Sequence, residues 1–223
     1  MSHAREEVEQ MASIADALVL NIGTLTVNLV KSMILAGTAA NKKGIPVVLD
    51  AVGAGATDFR TKKTKEILKQ VKISILKGNS SEIGTMAGVE AETRGVEAIS
   101  VKGNLIEITK NLAAAENLTV VITGKEDIIS DGMDTFICKN GHNMLGKFVG
   151  TGCMTSSLIG VFCAVDKDYA YASAAALSCF GIAGELAAKN SRGPAAFKNN
   201  LFDEIFNLDP ESVDKMQKIE KII

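Results

Sequence analysis

Short apolar runs recur along the chain: ALVL at 17–20, PVVL at 46–49, ISIL at 73–76 and LTVVIT at 118–123. Most are continuous rather than alternating, the pattern of strands buried on both faces of a parallel sheet. The segments between them change to helical spacing. Val8, Met11, Ile14 and Ala15 mark a first helix, and 24–41, 62–70, 80–86 and 95–116 read as further helices. Strand and helix therefore alternate, which predicts an α/β fold with a mostly parallel central sheet and helices on both faces.

After the fourth strand the rhythm shifts. DIISDG and DTFIC read as a hairpin of short edge strands. NMLGKFVGTGC then leads into an apolar helix, and 168–223 read as helical with a break at SRGPAAF. No repeat, low-complexity segment or linker interrupts 1–223, which reads as a single domain.

In such sheets ligands sit outside the C-terminal ends of the strands. The residues at those ends are Asn21 and Gly23, Asp50 and Gly53, Lys77 and Asn79, Thr123 and Gly124. The topology points all of them at one shared site.

Composition removes several alternatives. The net charge is −2 with no long Lys/Arg run, and aromatics are 4% with no Trp, so neither a basic footprint nor a stacking platform for nucleic acid is visible. No charged-then-apolar leader and no apolar run of about 18 residues is apparent, which reads as a cytoplasmic protein with no membrane partner. Cys138, Cys153, Cys163 and Cys179 form no CxxC pair, so reduced thiols are expected.

Candidate chemistry concentrates at Gly150-Thr151-Gly152-Cys153. Glycines ahead of an apolar helix let a ligand approach the first free N–H groups, and the dipole favours an anion there. A plain glycine turn before a core helix has the same spelling. Cys153 would sit in the first turn, at the positive end of that dipole, whereas the other three cysteines read as small buried hydrophobes. Asp50 ends a buried strand ahead of a glycine loop, where a carboxylate can hold Mg²⁺ or simply start a turn. Glu82 has the spacing of a capping box with Asn79, and the cap is the favoured reading. Lys77 and Thr123 stand at strand ends, in reach of phosphate. GAGATDFRT lacks the lysine of a P-loop, and VLDAVGAGA is no dinucleotide fingerprint.

Taken together, ALVLNIGTLT, PVVLDAVGAGATDFRT, ILKGNSSEI, VVITGKEDIISDG and VGTGCMTSSLIG resemble the hydroxyethylthiazole kinase family of the ribokinase-like superfamily. RGPAAF near the C-terminus also looks like a family segment. The resemblance implies an ATP- and Mg²⁺-dependent kinase of 4-methyl-5-(2-hydroxyethyl)thiazole, serving thiamine biosynthesis as a homotrimer with sites at subunit interfaces. By motif it implies Asp50 and Glu82 at Mg²⁺, Lys77 and Thr123 at ATP, and Met1, Gly23 and Gly150 at the thiazole. It places Cys153 where most ribokinase-like enzymes carry an aspartate base, with Gly150, Thr151 and Gly152 as the anion hole. Three departures stand out: Ala51 replaces a usual proline, Lys77 a common arginine, and the family's first strand–helix unit is expected before Met1. A pyrimidine or pyridoxal type of alcohol kinase, or a non-catalytic truncated relative, are the alternatives.

Overall fold

The computed structural model describes residues 2–89 and 102–222. Helix α1 (Val8–Ile14) precedes strand β1 (Leu18–Asn21), and α2 (Val27–Lys43), β2 (Val47–Asp50), α3 (Asp58–Gln70), β3 (Ile75–Asn79), α4 (Ser80–Met86), α5 (Lys102–Glu116) and β4 (Thr119–Thr123) follow. Then come β5 (Asp127–Ser130), β6 (Thr135–Cys138), a 3₁₀ turn (Asn143–Lys147), α6 (Thr151–Val165), α7 (Tyr169–Lys189), α8 (Pro194–Asn207), α9 (Pro210–Met216) and β7 (Ile219–Ile222). One sheet in the order β1-β2-β3-β4-β5-β6-β7 carries every described strand.

Strands β1 to β4 are parallel, as their continuous apolar runs predict. The period of two explains why both faces are apolar. Val47, Leu49, Leu76, Val120 and Ile122 pack under α2, α3, α4 and α5. Their neighbours Val48, Ile75 and Val121 face the other way, against Ile159 and Cys163 of α6 and the alanine-rich face of α7. The sheet is less parallel than the runs suggest, because β5, β6 and β7 extend it with three antiparallel pairings.

The structure corrects two further expectations. The C-terminal region is not helical throughout: β7 pairs with β6, and its short sequence IEKI is too charged to announce a strand. An apolar stretch of membrane-spanning length does exist, because α7 is long and apolar enough; 72% of that window is buried inside the protein, as a core helix requires. The helix expected over 95–116 is described from Lys102, and the part before it, like Met1, lies outside the described residues.

The helix starts that matter follow from local chemistry. Thr26 and Thr57 cap α2 and α3 by accepting the N–H groups of Leu29 and Arg60. Asn79 and Glu82 form the capping box of α4. Helix α6 differs: its cap is Gly150, at φ 112°, with no side-chain cap over its first-turn N–H groups.

Candidate active site

The register of the parallel strands places Asn21 beside Asp50 and Asp50 beside Lys77. Alternation then decides which way they face. Asp50 is two residues beyond Val48, and Lys77 two beyond Ile75, so both point to the α6 side of the sheet. The result is a polar row beneath the start of α6.

Asp50 is the hub of that row and is fully buried. Its Oδ1 accepts from Lys77 Nζ at 3.3 Å, and its Oδ2 accepts from Asn21 Nδ2 at 3.0 Å and Ser156 Oγ at 2.8 Å. Lys77 is 4% exposed and also donates to the Gly152 carbonyl at 3.1 Å. A buried carboxylate and ammonium are tolerable only when paired and hydrogen-bonded, and here each compensates the other. An ammonium carries three protons, so one remains for a ligand. Asn21 Nδ2 lies 3.2 Å from the sulfur of Cys153, the exposed thiol of the four. Cys138 and Cys163 are buried as expected, and burial pushes their thiols up to about 12 and about 11. Cys179 is half-buried.

Glu82 is doubly engaged. Its Oε2 accepts the Asn79 N–H at 2.7 Å, which closes the capping box. Its Oε1 accepts the Gly53 N–H at 2.7 Å, which fastens the loop after β2 to α4. That loop needs its glycines: Gly53 and Gly55 have φ of 74° and 91°. Arg60 of α3 ties it to the loop after β1. The guanidinium donates to the carbonyls of Ile22, Gly23 and Val52, each at 2.9 Å.

A cavity of about 680 Å³ opens on the other side of the α6 start. Thr123, Thr151 and Gly152 line it together with Gly124, Asp127 and Asn140. The Thr123 hydroxyl makes only a long bond, 3.4 Å, to the Gly78 carbonyl. Asp127 accepts the Gly124 N–H at 2.9 Å; burial pushes its carboxyl up to about 7, against the pull of that N–H and of Lys77.

Of the residues named from sequence, the structure joins Asp50, Lys77, Gly152 and Cys153 in one contact network, with Thr123 and Thr151 on the adjoining cavity wall. Gly150 supplies the bend before α6, and Gly23 begins the turn that Asn21 holds through its Oδ1 at 2.8 Å. Glu82 joins through the Gly53 loop rather than through the cavity. Met1 lies outside the described residues. Sequence reasoning placed Asn21 at the shared site without a chemical role, and singled out none of Ser156, Arg60 and Asp127. Helical spacing carried the one available signal, since Ser156 is one turn beyond Gly152 on the same face of α6.

The two carboxylates suit a hydrated Mg²⁺ better than a closed cage. Among the described residues no group of three or more His, Cys, Asp or Glu gathers to hold a metal. Mg²⁺ is commonly held by one or two carboxylates, waters and substrate phosphates. Half-buried Glu82 keeps a lone pair on each oxygen beyond its two N–H bonds, whereas Asp50 acts from a buried position.

A mixed sheet with an uncapped glycine-led helix over the ends of its parallel strands, beside a cavity of about 680 Å³, is the fold of the ribokinase-like kinases. The pyridoxal kinase from Staphylococcus aureus, solved with AMP-PCP and pyridoxal, has this fold, with a TM-score of 0.60 at 17% identity over 97% of this chain and 76% of that one. More particularly, the chain belongs to the hydroxyethylthiazole kinase family, whose model matches residues 1–211. It is 54% identical over 222 residues to hydroxyethylthiazole kinase of Methanosarcina mazei, covering 100% of this chain and 85% of that protein. The structure of hydroxyethylthiazole kinase protein from Pyrococcus horikoshii OT3 superimposes with a TM-score of 0.92 at 40% identity, covering 100% of this chain and 84% of that one.

Proposed function

We propose that this chain transfers the γ-phosphoryl group of ATP to the primary alcohol of 4-methyl-5-(2-hydroxyethyl)thiazole. The observation that carries the reading is the polar row from Lys77 through Asp50 and Asn21 to Cys153, beneath the open N-terminus of α6 in a member of this family.

Phosphoryl transfer is mostly positioning and charge neutralisation. The first-turn N–H groups at Thr151, Gly152 and Cys153 receive the anionic oxygens of the transferred group, helped by the helix dipole. Gly150 and Gly152 keep that approach free of side chains. Lys77 donates its remaining N–H to a phosphate oxygen, while Asp50 holds its ammonium in place. Thr123 turns its weakly held hydroxyl to the nucleotide in the cavity. Glu82 and Asp50 are the carboxylates that would hold Mg²⁺, and the ion would offset the charge of the phosphates. Gly23 and Gly150 form the thiazole side; Met1, assigned to the thiazole by the family resemblance, lies outside the described residues. Cys153 Sγ meets the alcohol and orients its hydroxyl, or as the thiolate takes up its proton, and a weak base suffices for a loose transition state.

Incubation with the thiazole alcohol, ATP and Mg²⁺ should yield the phosphate ester by mass spectrometry. No ester from the folded protein would refute the reading. Cys153→Ala should lower kcat more than it raises KM; an unchanged kcat would leave the anion hole as the main contribution. The family further suggests a cytoplasmic homotrimer with sites shared at subunit interfaces, which light scattering and crosslinking address.

A further inference from the structure

We infer that Asn21 is a positioning residue that sets the sulfur of Cys153 for the reaction, acting through Cys153 rather than on the substrate. The inference rests on the kinase reading above.

Three contacts determine the Asn21 amide. Its Oδ1 accepts the Gly23 N–H at 2.8 Å, while its Nδ2 donates to Asp50 Oδ2 at 3.0 Å and to Cys153 Sγ at 3.2 Å. The reverse orientation would set an amide oxygen against a carboxylate oxygen and two donors against each other, so this arrangement is the one that satisfies all partners. The turn itself cannot drift. Arg60 holds the Ile22 and Gly23 carbonyls from the outer side, each at 2.9 Å, and Asp50 is locked by Lys77 and Ser156.

Cys153 is in the opposite condition. Its side chain is exposed, in the first turn of α6. Among the described residues, Asn21 Nδ2 is the hydrogen-bond donor to its sulfur. Without it the thiol is free to sample several rotamers over solvent. With it the sulfur is held above the polar row and one of its lone-pair directions is occupied, so the opposite side faces the incoming alcohol. The N–H also offers its positive end to any negative charge the sulfur carries. A small displacement of a reacting atom costs up to about 100-fold in rate, so a fixed anchor on an exposed group has a kinetic consequence.

The test is a kinetic cycle on the full chain, with ester formation as the readout. Asn21→Ala should lower kcat by about 10- to 100-fold with little change in KM. In a Cys153→Ala background the same change should lower kcat by less than about 2-fold, because the group it positions is gone. Asn21→Asp keeps the acceptor for Gly23 and replaces the donor by a second carboxylate oxygen, so it should fall at least as far as Asn21→Ala. Thermal denaturation checks that each variant is folded, and Asn21→Ala serves if Asn21→Asp is not. Losses that multiply across the cycle overturn the inference, because Asn21 then acts on the structure or on ATP independently of Cys153. So does an effect confined to KM, or full activity of a folded Asn21→Asp. A fully active Cys153→Ala overturns it as well while leaving the kinase reading standing. No ester from the unaltered chain would overturn both.

Discussion

Replacing Lys77 by methionine tests the centre of the argument. Methionine preserves most of the aliphatic stem and deletes the ammonium. The side chains of Lys77 and Asp50 are 5% and 0% exposed, so water cannot take the place of the lost charge. Asp50 keeps Asn21 and Ser156 on Oδ2 but loses the cation on Oδ1, and the Gly152 carbonyl loses its donor. Removing one partner of a buried pair costs about 3–5 kcal/mol, because an uncompensated charge is left behind. For a chain of this length each kcal/mol shifts the melting temperature by about 2–4 °C, so the expected drop is about 6–20 °C. Differential scanning fluorimetry measures it. The double variant Lys77→Met, Asp50→Asn removes both charges and should recover most of the loss, since an apolar or neutral replacement of a buried pair is close to neutral. It should remain catalytically impaired, with a raised KM for ATP. A single variant melting within about 2 °C of the parent would refute the reasoning, as would a double variant no more stable than the single one.

Two more predictions address the surroundings of this row. Arg60→Lys swaps a planar fork for a point charge that cannot reach the Ile22, Gly23 and Val52 carbonyls together. It should lower stability by about 1.5–3 kcal/mol and speed protease cleavage in the 51–57 loop; unchanged melting and cleavage would refute the clamp. Asp127 ionises at 3.8 when free and near 7 in the fold. Between those values the folded state binds more protons than the unfolded, so its contribution to stability falls as pH rises from about 4 to about 7. Asp127→Asn carries no charge and can keep the Gly124 contact, so it should melt above the parent at about pH 8, the gap closing near pH 4. A gap independent of pH would refute the assignment.

Much of the frame was legible along the chain, and the physical reason is locality. Continuous Val/Ile/Leu runs such as VVL at 47–49 announce strands covered on both faces, and the fold puts opposite helical layers against Leu49 and Val48. The Asn79–Glu82 cap was readable because its partners are three residues apart. Strand β7 was not, because four residues, three of them exposed and two charged, carry no periodicity and owe their pairing to β6.

The site divides along the same line. The sequence by itself determined that the polar residues Asn21, Asp50 and Thr123 close their parallel strands and that a glycine-led helix begins at 151, whereas Lys77, read as a strand end, lies inside β3, which runs on to Asn79. Only the tertiary structure decided their partners. Ser156 reaches Asp50 across 106 positions and Asn21 reaches Cys153 across 132, and no local pattern encodes contacts at that separation. Strand register and the packing of α6 on the sheet bring these groups within hydrogen-bond distance, and burial then makes each depend on the others.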